Sequence, residues 1–162
     1  MTKRTVVIGF LGTQLDAGQG AGRWEKWRPT LSLMQHEDTV IDRLELLHAS
    51  AHIGLARQLK ADIAAVSPDT VVNLVALDIA DPWDFGEMYA GLYDWARAYR
   101  FDPAHEQYWA HITTGTHVAQ ICMPSPRTAA TSDSASGGPS ISTQSGRKAS
   151  NARTRLRAQP GP

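Results

Sequence analysis

The chain has 162 residues, 16 Lys plus Arg, 16 Asp plus Glu, and one cysteine, Cys122. That length holds one domain. A lone thiol excludes an intramolecular disulfide and any zinc-type cysteine pattern. The zero formal charge hides an uneven layout. Through Met123 there are 15 acids and 10 bases, whereas from Pro124 onward Asp133 alone faces Arg127, Arg147, Lys148, Arg153, Arg155 and Arg157.

Thr5 to Phe10 is a β-branched and aromatic run that predicts a strand buried on both faces of a parallel sheet. Behind Met1-Thr2-Lys3-Arg4 it is too short for a secretion signal. No later stretch approaches the roughly 20 apolar residues of a membrane span, so a cytoplasmic protein is expected. Leu11 to Gly22 holds four glycines and reads as a loop. Arg28 to Met34 predicts a short helix with Pro29 in its first turn. Ile41 to Leu47 carries both helical and alternating periods; α/β order favours a strand there. Ser50 to Val66 is the clearest helix, with Ile53, Ala56, Leu59, Ile63 and Val66 on one stripe.

Thr70 to Ile79 predicts another strand. Asp81-Pro82 is expected to begin a helix, with Pro82 in its first turn and Asp84 and Glu87 near its positive end. Phe85, Met88, Tyr89, Leu92, Trp95, Ala96 and Tyr99 supply its expected buried face, with Trp83 also assigned to the core. Gln107 to Thr113 predicts the next strand. The last helix opens at Thr116, carries Val118, Ala119, Ile121, Cys122 and Met123, and stops at Pro124. Strands separated by helices argue for right-handed crossovers and an α/β parallel sheet. Residues 124–162 contain Ile141 and Leu156 as their only large apolar side chains. They cannot offset an ordering cost of about 1–2 kcal/mol per residue. The expected organisation is therefore a domain over 1–123 and a disordered basic tail over 124–162.

Two polar turns follow strands: Gly9-Phe10-Leu11-Gly12-Thr13-Gln14 and His111-Ile112-Thr113-Thr114-Gly115-Thr116-His117. At the carboxyl ends of parallel strands such turns face one crevice, where ligands of α/β sheets bind. Hydroxyls and free backbone N–H groups around a glycine suit a phosphate. The candidate ligand-binding residues are Gly12, Thr13, Gln14, Thr113, Thr114, Gly115, Thr116 and His117, with Arg28 as a cation for phosphate. The competing reading of the threonines is a helix-capping turn. His111 reads as a satisfied sheet residue, and Asp16 as a loop hydrogen-bonder or a contact to a ribose hydroxyl. Trp24, Lys26, Trp27 and Arg28 suit either base stacking or packing of the loop. Cys122 reads as a buried small hydrophobe. No spacing suits a metal, and no cofactor is expected.

The same blocks carry a family resemblance: Gly9-Phe10-Leu11-Gly12-Thr13 with Leu15-Asp16, Trp24 through Leu31, Ile41-Asp42-Arg43-Leu44, Ser67-Pro68, Pro82-Trp83-Asp84-Phe85, and His111 through Cys122. From Thr5 to about Cys122 the chain resembles the N-terminal sensor domain of the bacterial regulators of RNA 3′-terminal phosphate cyclase. The resemblance implies a Rossmann-like domain of the CRISPR-associated Rossmann fold (CARF) type, dimeric, binding an RNA end or an oligoadenylate-like ligand. It further implies an AAA+ ATPase that drives sigma-54 RNA polymerase and a helix-turn-helix that binds DNA. This sequence departs from that pattern at Met123 and has no Walker A motif. A truncation or an out-of-frame continuation is expected, leaving the sheet C-terminally incomplete. The expected function is ligand sensing without catalysis. The alternatives are a ring-nuclease-like enzyme acting on cyclic oligoadenylate and a non-functional fragment.

Overall fold

A computed structural model describes residues 2–36 and 38–123. The tail expected over 124–162 lies outside the described residues. Four strands form one parallel sheet: β1 (Arg4–Phe10), β2 (Arg43–His48), β3 (Val71–Ala76) and β4 (Glu106–His111), in the order β3-β2-β1-β4. Four helices connect and flank them: α1 (Pro29–Leu33), α2 (Ile53–Val66), α3 (Phe85–Ala98) and α4 (His117–Cys122). Short 3₁₀ turns occupy Ala21–Trp24 and Ser50–His52. This is the Rossmann-like α/β architecture read from the sequence.

The apolar run of β1 is explained by its central place. Val7 contributes to a core with Leu44, Leu46, Ala56, Leu59 and Ile63, under α1 and α2. Val6 and Ile8 face the other way, into a core with Leu47, Met88, Leu92 and Ala119 under α3 and α4. Burial on both faces removes the need for alternation.

The ambiguous segment 41–47 is a strand, and its polar residues are buried for a reason. Glu45 and Glu106 are each 4% exposed. Arg43 donates to Glu45 at 2.9 Å, to both Glu106 oxygens at 2.8 Å, and to the Tyr99 hydroxyl at 2.8 Å. The Arg43 hydrogen bonds, reinforced by Tyr108, hold the Glu106 carboxyl below its usual range despite burial. Burial pushes the Tyr99 hydroxyl up. A paired network of this kind lets charge sit at the amino ends of the strands.

Two helical faces differ from expectation. On α2, Ala56, Leu59 and Ile63 are buried as the stripe predicts, but Asp62 is buried beside them at 3% exposure. On α3, Met88 and Leu92 alone are buried, while Trp95, Ala96 and Tyr99 are half-buried. Phe85, Tyr89 and Trp83, assigned to the core from the sequence, are exposed. Phe85, Tyr89 and Tyr93 form a stacked ladder with ring centroids 6.2 and 6.0 Å apart. An apolar stripe wider than the sheet contact leaves its outer i, i+4 ridge in solvent. β3 also ends at Ala76, short of the expected Ile79. The Ile79 side chain instead lies against α3 where Gly91 has no Cβ to oppose it.

Candidate functional site

The chain winds outward from β1 to β2 to β3 and then returns to place β4 on the other flank of β1. The turn after β1 leads to α1 on one face, and the turn after β4 leads to α4 on the other. Crevices of α/β sheets open where the winding reverses in this way. A cavity of about 570 Å³ lies at these strand ends, within the size range of small-ligand pockets.

Gly12, Thr13, Gln14, Thr114, Gly115, Thr116 and His117 all line it. The two turns are tied directly, because the Thr114 hydroxyl donates to the Phe10 carbonyl oxygen at 2.6 Å. Thr114 is 2% exposed, and its methyl group would lie 2.8 Å from a Cβ at residue 12. Gly12 is therefore needed for the close approach of the loops. Gly115 adopts a φ of +90°, a backbone state that disfavours any side chain, and a Cβ there would meet Phe10 at 3.2 Å. Thr116 caps α4 by accepting from the Ala119 N–H at 3.1 Å, and donates to the Pro82 carbonyl at 2.9 Å. Thr13, Gln14 and His117 are exposed at the rim.

Thr113 is exposed and is not among the cavity-lining residues. Arg28 requires a correction. Its side chain is fully buried, with Nε donating to the Asp16 carbonyl at 2.9 Å and Nη1 to Asp62 at 2.7 Å. Arg23 pairs with the same carboxylate at 3.0 Å, and Lys26 donates to the Gln14 and Ala17 carbonyls. Arg28 Nη2 is buried without a hydrogen-bond partner among the described residues, but Arg28 does not line the cavity and so leaves the set of contacts proposed for a ligand there. Burial raises the Asp62 carboxyl, but the Arg23 and Arg28 hydrogen bonds outweigh it and hold the group below its ordinary value. Trp24 and Trp27 remain exposed, and the Arg23 guanidinium sits 5.1 Å from the Trp24 ring centre.

Asp16 is the loop hydrogen-bonder expected of it. Fully buried, it accepts from the Gly12 N–H at 2.9 Å, the Thr30 N–H at 3.0 Å and the Thr30 hydroxyl at 2.7 Å. His111 Nε2 approaches that hydroxyl at 3.5 Å. Burial pushes the His111 imidazole down, with Asp16 opposing. Cys122 is buried, which pushes its thiol up and suits the packing role assigned to it.

Sequence reasoning missed His48, His52 and the apolar wall of Leu77, Ile79, Trp83 and Met88. The signal was available: His48 is the last residue of β2, at the carboxyl edge where sites gather, but the predicted strand stopped at Leu47. Among the described residues no carboxylate lines the cavity; the ionisable ones that do are His48, His52 and His117. Among the described residues no group of three or more His, Cys, Asp or Glu could hold a metal, and no helix is long and apolar enough to cross a membrane.

Sheet, winding and crevice together define a Rossmann-like α/β domain. Within that class the chain belongs to the RtcR family, the regulators of RNA terminal phosphate cyclase, whose family model matches residues 3–128. It is 59% identical over 121 residues to the transcriptional regulatory protein RtcR of Escherichia coli (strain K12), a match covering 74% of this chain and 23% of that protein. The chain thus spans less than a quarter of that relative's length. Among solved structures it is similar to Csm6 of Enterococcus italicus, bound to cyclic hexa-2′-fluoro-hexa-dAMP. The TM-score is 0.52 at 12% identity, covering 75% of this chain and 29% of that one. That likeness shows the fold alone.

Proposed function

We propose that this domain is the ligand-sensing part of a cytoplasmic, sigma-54-dependent activator of RNA repair genes. Its ligand is an RNA end or a short phosphorylated oligonucleotide, held in the crevice without catalysis. In this reading the domain acts as a homodimer, and occupancy is relayed to an AAA+ ATPase, sigma-54 RNA polymerase and DNA in full-length relatives. The observation that carries the reading is the character of the crevice. Two glycine-bearing turns clamp together over a cavity lined, among the described residues, by three imidazoles and no carboxylate. Imidazole rings carry N–H donors that suit a phosphate where no carboxylate competes.

Titration of a short RNA carrying a 3′-phosphate, with inorganic phosphate and the 3′-hydroxyl RNA as comparisons, tests this. The phosphorylated RNA is expected to bind more tightly, with affinity falling as salt rises. Equal binding of both RNA ends, or none at millimolar concentration, refutes it. The imidazoles also favour a second reading, since a histidine-lined cavity can move protons. Turnover of a cyclic oligoadenylate during incubation would replace the sensor with an enzyme.

A further inference from the structure

We infer that Trp83 is the stacking platform for the base of the nucleotide whose phosphate the glycine turns receive, so that the crevice reads a nucleotide and not a phosphate alone. The inference rests on the proposed nucleotide occupancy of the crevice and names the residue that holds the base.

Trp83 lines the cavity and is nevertheless 65% exposed. An indole in that position keeps in water an apolar face that a flat ligand can cover. Its backbone is fixed. α3 opens at Phe85, so residues 81–84 form a turn ahead of the helix rather than its first turn. In that turn the Trp83 N–H donates to an Asp81 carboxylate oxygen at 2.9 Å and the Asp84 N–H to the Asp81 carbonyl at 3.0 Å. The Asp81 N–H donates in turn to the Glu87 carboxylate at 2.8 Å, which ties the turn to α3. A ring carried on such a turn gives up little freedom when a base settles on it.

The place of the turn fits one nucleotide. The carbonyl of Pro82, next to Trp83, accepts from the Thr116 hydroxyl at 2.9 Å, which joins the turn of the indole to the turn at Gly115. Beside the indole, Leu77, Ile79 and Met88 continue an apolar wall. The facing side presents the glycine turns and the imidazoles. One side of the crevice thus suits a base and the other a phosphate. Beyond Trp83 the chemistry changes. The stacked ladder of Phe85, Tyr89 and Tyr93 runs on along α3, but Asp84, Glu87 and Asp94 are exposed over the same stretch and oppose a phosphate backbone there. Stacking is therefore confined to the mouth of the crevice.

Fluorescence anisotropy with the full chain tests this, using two 3′-phosphorylated tetraribonucleotides that differ at the last residue, adenine in one and an abasic ribose in the other. The adenine probe is expected to bind about tenfold more tightly, equivalent to about 1.4 kcal/mol. In Trp83→Leu that advantage disappears while affinity for the abasic probe is unchanged. In Trp83→Phe part of the advantage returns, but the quenching of tryptophan emission that the adenine probe produces in the unaltered protein is lost. Tyr89→Gln keeps the full advantage. Equal affinities in the unaltered protein overturn the inference, as does an undiminished advantage in Trp83→Leu, undiminished quenching in Trp83→Phe, or a lost advantage in Tyr89→Gln. An advantage that persists in Trp83→Leu together with a shifted elution in size exclusion would assign the indole to an interface between copies of the chain instead. Each of those outcomes leaves phosphate binding intact. Failure of every probe, inorganic phosphate included, overturns the crevice reading and this inference with it.

Discussion

The hydroxyl of Thr114 donates to the carbonyl oxygen of Phe10 at 2.6 Å, bridging 104 residues of sequence with one bond. The two turns that form the crevice are held by each other through that contact. Thr114→Val keeps the shape, removes the donor and leaves a carbonyl unpaired. Stability is expected to fall by about 1–2 kcal/mol in urea titration with an unchanged m-value. No loss would show that the turns are held by packing alone.

Gly115 sits at φ +90° with Phe10 beside it. Gly115→Ala is expected to cost about 1–2 kcal/mol through backbone strain and to weaken binding of the phosphorylated RNA. Thermal melting and anisotropy on the same sample check both effects. A stabilised variant would contradict the left-handed turn, because alanine also reduces the entropy of the unfolded chain.

Asp62 holds Arg28 and Arg23 at once. Asp62→Asn leaves a fully buried guanidinium without its counter-charge, at an expected cost of about 3–5 kcal/mol. Asp62 and Glu106 are both held below their ordinary carboxyl values. Their stabilisation is therefore present above about pH 4 and is lost as pH falls through their depressed folded values. Acid titration of stability should be shallower in the variant than in the unaltered protein.

His111 titrates in the opposite sense from a paired histidine. Burial keeps it neutral in the folded state, so the unfolded chain binds the extra proton first. Stability is expected to decline as pH drops below about 6.5, and His111→Asn should flatten that decline. Chemical denaturation at a series of pH values between about 5 and 7 reads the difference. A parallel pH dependence in the two proteins would assign it to another group.

The two sides of α3 give a direct test of which face is buried. Leu92→Ala is expected to cost about 2–5 kcal/mol, whereas Tyr89→Gln should stay within about 0.5 kcal/mol of the unaltered protein. A large loss at Tyr89 would mean that the aromatic ladder is covered in solution.

Much of this domain was legible in the chain. The run from Thr5 to Phe10 announced a strand buried on both faces, and the stripe through Ala56, Leu59 and Ile63 announced α2. The glycine-bearing turns at Gly12 and Gly115 were placed at strand ends, and the cavity lies there. Arg28 was misread because a cation beside exposed tryptophans resembles a nucleic-acid contact. Its partner Asp62 is 34 residues away, on a helix whose stripe looked apolar. His48 was overlooked because the predicted strand stopped at Leu47, one residue short of the carboxyl edge at which it sits.

Periodicity, glycine placement and chain order are local properties, set by backbone geometry within a turn or two, and from them the sequence alone determined the strands, the helices and the parallel winding. Which charges would be buried, which ridge of α3 would meet solvent, and which imidazole would face the crevice depended on contacts between distant segments. Those contacts exist only once the sheet has assembled, so the tertiary structure alone decided them.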